Sequence, residues 1–110
     1  MTAQFIVRAQ VVDAAVKDDF DRWYQNEHLP DAFKAFHARR AWRGWSAVDA
    51  SVHYAFYEFD DMAHAQSIQG SDALKSLVAE FDRVWGNKVT RSRDFVELIQ
   101  TINAGASSRS

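Results

Sequence analysis

The chain predicts an α+β fold with the element order β-α-β-β-α-β, one antiparallel sheet with both main helices on one face. Three observations predict it. Apolar residues alternate with period two near both ends of the chain, over residues 3–12 and 90–102, as they do in strands. Residues 52–59 form an aromatic-rich run of high β-propensity preceded by the short turn Asp49-Ala50-Ser51, which pairs them with the segment before the turn as a hairpin. Two longer stretches, one after Asp13 and one after Ser71, repeat apolar residues at helical spacing.

In the first strand Phe5, Val7, Ala9 and Val11 share one face, and Gln4, Ile6, Arg8 and Gln10 share the other, which is mixed. Asp13 can accept from the free backbone N–H groups that open the next helix. Asp18, Asp19 and Asp21 fall in its early turns, where the helix dipole favours negative charge. Val16, Phe20, Trp23 and Glu27 then recur at helical spacing. Pro30 disfavours helical geometry at Leu29, so this helix is expected to stop there, followed by a short helical piece over 31–36. Residues 37–48 read as the second strand, with Arg39, Arg43 and Trp45 on one parity and Arg40, Trp42, Gly44 and Val48 on the other. Asp60 or Asp61 caps a short helix that ends at Gly70-Ser71. Ser71-Asp72 opens a longer one, with Leu74, Leu77, Val78, Phe81, Val84 and Trp85 as its apolar stripe and Gly86-Asn87 as its stop. This order is the split βαβ, ferredoxin-like arrangement.

The length of 110 residues fits a single domain, expected over 1–102, with residues 103–110 as a disordered tail of Gly, Ala, Ser and Arg that has nothing to bury. With 47% hydrophobic and 25% charged residues the composition is that of a soluble globular protein. No apolar run approaches the roughly 20 residues of a membrane span, and no apolar signal core follows Met1, so no membrane partner and a cytoplasmic location are expected. Zero cysteines exclude disulfides and a thiol nucleophile, and His37, His53 and His64 match no metal-ligand spacing, so no metal site is expected. A net charge of -2 argues against nucleic acid as a partner. Five of the arginines, however, cluster as Arg39, Arg40, Arg43 and Arg91, Arg93, and a guanidinium offers a planar fork to a carboxylate or an enolate oxygen. Pairing with Asp and Glu is the competing reading of all five.

The run Phe20-x-x-Trp23-Tyr24-x-x-Glu27-His28-Leu29-Pro30, then 38–42 (Ala-Arg-Arg-Ala-Trp), Tyr54-x-x-Tyr57-Glu58-Phe59-x-Asp61, and Trp85 with Arg91 and Arg93, resembles the EthD-like branch of the dimeric α/β-barrel superfamily. The resemblance covers roughly residues 3–100. It implies two ferredoxin-like subunits whose sheets meet, with a pocket in each between sheet and helices. It also implies chemistry on small, often aromatic or polycyclic molecules, from lactone isomerisation and dehydration to cofactor-independent oxygenation. In related enzymes a helix-end histidine at the pocket handles protons, and that position here is His28.

His28 follows Tyr24 by one turn and shares its face, and a histidine at a helix C-terminus is favoured as the cation; capping the last carbonyls is the alternative role. Glu27 cannot orient His28, because adjacent helical residues point about 100° apart. A salt bridge to Arg39, Arg40 or Arg93 is its expected use. Trp23, Tyr24, Trp42 and Tyr54 are expected to wall the pocket, with Tyr54 as a hydrogen-bond donor. Arg8, mid-strand on the mixed face, is expected either to touch a ligand or to join an interface ion pair. Much aromatic surface lies on the strands whichever parity faces out, so a homodimer through the sheet is expected. The functional expectation is proton transfer without organic cofactor on a hydrophobic, oxygenated small molecule, by dehydration, cyclisation or lactone isomerisation. Cofactor-independent oxygenation and a non-catalytic metabolite-binding dimer are the alternatives.

Overall fold

The computed structural model describes residues 2–104. It contains β1 (Ala3–Val11), a short 3-10 turn (Ala14–Val16), α1 (Lys17–Trp23), a π-helical turn (Tyr24–His28), α2 (Leu29–Phe36), β2 (Arg40–Trp45), β3 (Val52–Phe59), α3 (Met62–Ile68), α4 (Asp72–Trp85) and β4 (Val89–Glu97). The strands form one antiparallel sheet in the order β2-β3-β1-β4. Its two central strands are β3 and β1, with β2 and β4 at the edges. Each βαβ unit therefore straddles one intervening strand, and both helical layers fall on the same face. This is the α+β ferredoxin-like fold that the sequence predicts.

The period-two pattern of β1 sets which face is covered. Ala3, Phe5, Val7, Ala9 and Val11 are buried, while Arg8 between them is exposed. Across the register Phe5 faces Tyr57 and Phe95, and Val7 faces Ala55 and Arg93, so one continuous row of side chains lies under the helices. Phe20, Tyr24, Ala32 and Phe36 from the first helical layer, with Phe81 and Trp85 from α4, close the core over it. The caps are those the sequence offers. Asp13 accepts from Ala15 N at 3.0 Å, Asp61 from His64 N at 2.8 Å, and Ser71 from Leu74 N at 3.1 Å. Gly86 ends α4 at φ 54°, a left-handed geometry that glycine adopts without a Cβ clash.

Three features differ from the sequence expectation. The first helical layer does not stop before Pro30 but continues to Phe36, where His37 ends it at φ 54°. A π-turn explains the passage: Leu29 N–H bonds back five residues to Tyr24 O, and the widened turn accommodates a ring that lacks an N–H and crowds the preceding carbonyl. Second, β2 spans only Arg40–Trp45 and β4 ends at Glu97, shorter than the runs 37–48 and 90–102, because alternation continues past the last residue that has a strand partner. Third, Glu27 is exposed instead of continuing the buried stripe. The buried series is Phe20, Tyr24, Ala32 and Phe36, with half-buried His28 in the same four-residue rhythm, so the stripe passes through Tyr24 and not through Trp23 and Glu27. Residues 101–104 are exposed, and most of the tail expected to be disordered lies outside the described residues.

Candidate functional site

Between the helices and the inner face of the sheet lies a mostly apolar cavity. Phe5, Val7, Ala32, Phe36, Leu74, Leu77, Val78 and Phe81 line it, together with four polar side chains: His28, Tyr57, Arg91 and Arg93. Its interior is about 30 Å³, space for a water or two, within a depression of about 350 Å³ that opens toward solvent. An outer cleft of about 510 Å³ shares Phe5, Leu74, Arg91 and Arg93 with it and adds Gln69 and Gly70 from the α3–α4 connection and Ser92, Asp94 and Phe95 from β4. The inner cavity and the cleft are thus continuous along β4.

His28 owes its place to the π-turn, a local geometry that recurs at functional sites because it re-aims the side chains around it. Its imidazole stacks on the Trp23 ring at 4.6 Å between centroids and 19° between planes, and meets Tyr24 edge-on at 4.9 Å and Phe81 at 5.6 Å. Burial first, and the Arg91 guanidinium second, push the imidazole down to about 4, with Glu80 opposing weakly. The ring is therefore neutral at physiological pH and carries a free lone pair. This reverses the dipole argument made from the sequence, because a helix that runs on to Phe36 leaves no C-terminal carbonyls at His28.

Arg91 lies across the Phe81 ring at 4.1 Å and pairs with Asp82 at 3.1 Å, so it is held but only partly neutralised. The Tyr57 and Tyr24 phenol groups are within hydrogen-bonding range of one another, and burial pushes both up, Tyr24 to about 12. Both remain protonated donors under all ordinary conditions. Behind Tyr24 sits a second polar group. Arg43 Nη1 donates to Asp21 Oδ1 at 2.9 Å and lies 3.1 Å from His53 Nε2, and Trp45 Nε1 donates to the same Asp21 oxygen at 2.8 Å. Since a guanidinium only donates, His53 Nε2 accepts and Nδ1 carries the proton, buried without a hydrogen-bond partner among the described residues. Burial and Arg43 push this imidazole to about 4 as well, while the Trp45 and Arg43 hydrogen bonds hold Asp21 below the usual carboxylate range.

No protein-family profile matches the sequence, and no curated protein matches it. Solved structures do. An ethyl tert-butyl ether D (EthD) family protein from Bacillus halodurans superposes with TM-score 0.68 at 19% identity, over 90% of this chain and 100% of that one. HapK from Hahella chejuensis gives 0.66 at 18%, over 94% and 99%. SnoaB, a cofactor-independent oxygenase from Streptomyces nogalater, gives 0.63 at 10%, over 92% and 96%. These likenesses support the ferredoxin-like α+β fold described above. At such identities a shared fold carries no reaction with it, and any chemistry has to come from the site.

Within that fold the residues singled out from the sequence separate into two groups. His28, Trp23 and Tyr24 lie together on the helical side, although only His28 lines the cavity; Trp23 backs its imidazole and Tyr24 is buried beneath it. Arg8, Trp42 and Tyr54 lie on the opposite face of the sheet, where Arg8 faces Tyr54 across the register and Trp42 stacks on Phe56 at 5.4 Å. Strand parity is the reason: these three share a parity with exposed Gly44, not with buried Tyr57. Of the arginine cluster, Arg39, Arg40, Arg43 and Arg91 are paired with Asp60, Glu58, Asp21 and Asp82. Tyr57 and Phe81 were not recognised from the sequence as cavity residues, though the parity shared by Tyr57 and Phe5 marks both as core-facing. Among the described residues no group of three or more His, Asp or Glu side chains is placed to hold a metal ion. No helix among them is long and apolar enough to cross a membrane.

Proposed function

We propose that the cavity takes a small, hydrophobic, oxygenated molecule and that His28 acts as general base in its cofactor-independent conversion. The observation that carries this reading is a neutral imidazole lining an apolar cavity opposite a guanidinium. A lone pair on His28 would remove a proton from a carbon next to a carbonyl, and Arg91 would donate to the oxygen on which the enolate charge gathers. The enolate then has three outcomes that need no further reagent. Reprotonation by the imidazolium at another carbon is isomerisation, loss of a β-hydroxyl as water is dehydration, and attack on a second carbonyl is cyclisation. A base with a resting pKa of about 4 is weak, but an anion forming between His28 and Arg91 offsets the Arg91 repulsion and raises the affinity of the imidazole for its proton within the complex.

Oxygenation is a second reading of the same site, favoured by the likeness to SnoaB. The deprotonated, electron-rich substrate would react with dioxygen, one oxygen atom entering the carbon and the other leaving as water with the two hydrogens lost. Assembly as a homodimer through the outer sheet face accompanies both readings, since Ile6, Trp42, Tyr54 and Phe56 cluster there and no helix among the described residues covers them. The test is turnover of a panel of aromatic and polycyclic ketones and lactones, followed with an oxygen electrode in parallel. Replacing His28 with Ala should lower the rate about 10² to 10⁴-fold. An unchanged rate would remove His28 from the chemistry, and ligand binding with no turnover of any compound would leave a metabolite-binding protein.

A further inference from the structure

We infer that the outer cleft along β4 is an anion subsite, and that the ligand of this protein is a flat hydrophobic acid whose carboxylate is held by Arg93. The inference deepens the reading of the inner cavity as a substrate site and rests on it. Three observations carry it.

The first is charge pairing. Arg91 is compensated by Asp82 at 3.1 Å, and Glu80 on α4 is compensated by Arg83 at 2.7 Å. Arg93 alone among the arginines 39, 40, 43, 91 and 93 has no ion pair or hydrogen bond among the described residues, and it lines both the inner cavity and the cleft. The second is strand parity. Arg91, Arg93 and Phe95 point to the helical side, where Arg93 faces Val7 and Phe95 stacks on Phe5 at 4.7 Å. Asp94 is the nearby acidic side chain lining the cleft, but it has the opposite parity and its carboxylate accepts from the Phe95 backbone N–H at 2.9 Å. The cleft is thus positive on its inner wall. The third is spacing. Arg91, the charge that most perturbs His28, and Arg93 are two residues apart on one strand face, about 7 Å. A carboxylate on Arg93 therefore places the adjoining ring against Phe5, Leu74 and Phe95, with its far edge directed at Arg91 and His28.

A guanidinium at a sheet edge also discourages strand-to-strand aggregation, a role indifferent to ligands. Binding separates the two. Quenching of tryptophan fluorescence, with Trp23 and Trp85 beside the cavity, reads the affinity for naphthoate and for naphthamide, its neutral isostere of the same shape. The wild type should bind naphthoate about ten- to hundredfold more tightly, as one charge-assisted contact provides. Arg93→Gln should abolish that preference while leaving naphthamide affinity unchanged, and Arg93→Lys, which keeps the charge without the fork, should retain part of it. His28→Ala should leave the preference intact whatever it does to turnover, so loss of turnover and loss of anion selection report separately on the proton-transfer reading and on this one. Equal affinity for the two compounds, binding of neither, or a preference that survives in Arg93→Gln would overturn the inference.

Discussion

Acidification should destabilise this protein well above the pH at which its carboxylates titrate, because two histidines are buried as neutral rings. His28 and His53 each hold a pKa of about 4 in the fold, against 6.5 in the unfolded chain. Between those values the unfolded state binds more protons than the folded one, so stability falls as pH drops through the window and levels off below about 4. Each histidine contributes about 1.4 kcal/mol per pH unit, hence about 2 kcal/mol at about pH 5, some 1.5 units below 6.5. Both together reach about 4 kcal/mol, a large share of the 5–15 kcal/mol typical of a domain, and lower Tm by roughly 15 °C. Asp21, whose pKa is held below 3.8, loses its contribution only at lower pH and does not blur the window. Urea titrations at intervals between about pH 7.5 and about pH 4.5 provide the assay. His28→Gln and His53→Gln should each remove about half of the slope, whatever they do to stability at neutral pH. A stability that stays flat from about pH 7.5 to about pH 5 would refute the reasoning, since it would require both rings to be as accessible to protons in the fold as in the unfolded chain.

Other outcomes follow from the packing. Phe20→Ala should cost about 3–5 kcal/mol in denaturant titration, because that ring is fully buried and touches Trp45, Phe81 and Trp85. Leu77→Ala should cost less, about 2 kcal/mol, since Leu77 is only half-buried, but it should widen a cavity of about 30 Å³ and tighten binding of bulkier aromatic probes measured by calorimetry. Trp42→Glu, which removes the ring stacked on Phe56, should yield a monomer in sedimentation if the outer face is the dimer contact, with Tm at high dilution little changed.

Much of this architecture is legible in the chain because β1 obeys period two without interruption. Phe5, Val7 and Ala9 identify the covered face of β1, and every partner in the register inherits its orientation from them. The helix caps at Asp61 and Ser71 are equally local and equally readable. The π-turn is not. A proline at position 30 signals a stop under α-helical geometry, and only a turn with i to i+5 bonding, favoured here by the packing of Tyr24 and Ala32 on the sheet, lets the helix pass it. The consequence reaches the site. The rhythm 20, 24, 28, 32, 36 is visible in the sequence, but at 3.6 residues per turn it drifts off one face, and it becomes a single buried edge only when the π-turn corrects the drift. For that reason His28 looks like a helix-end cation in the sequence and stands in the structure as a neutral ring lining a cavity. Arg8, Trp42 and Tyr54 illustrate the other limit. Local pattern shows that they share strands with the site residues, but both parities of β2 and β3 carry aromatic rings, and the helices that decide which face is inner are remote in sequence.

The account depends most on the state of His28. A pH titration of its imidazole resonances by NMR, assigned through His28→Gln, should give a pKa near 4 in the free protein, rising when naphthoate occupies the site. A midpoint at or above 6.5 in the free protein would contradict the account, because a ring already charged near neutral pH cannot be the buried neutral base that the proposed function calls for.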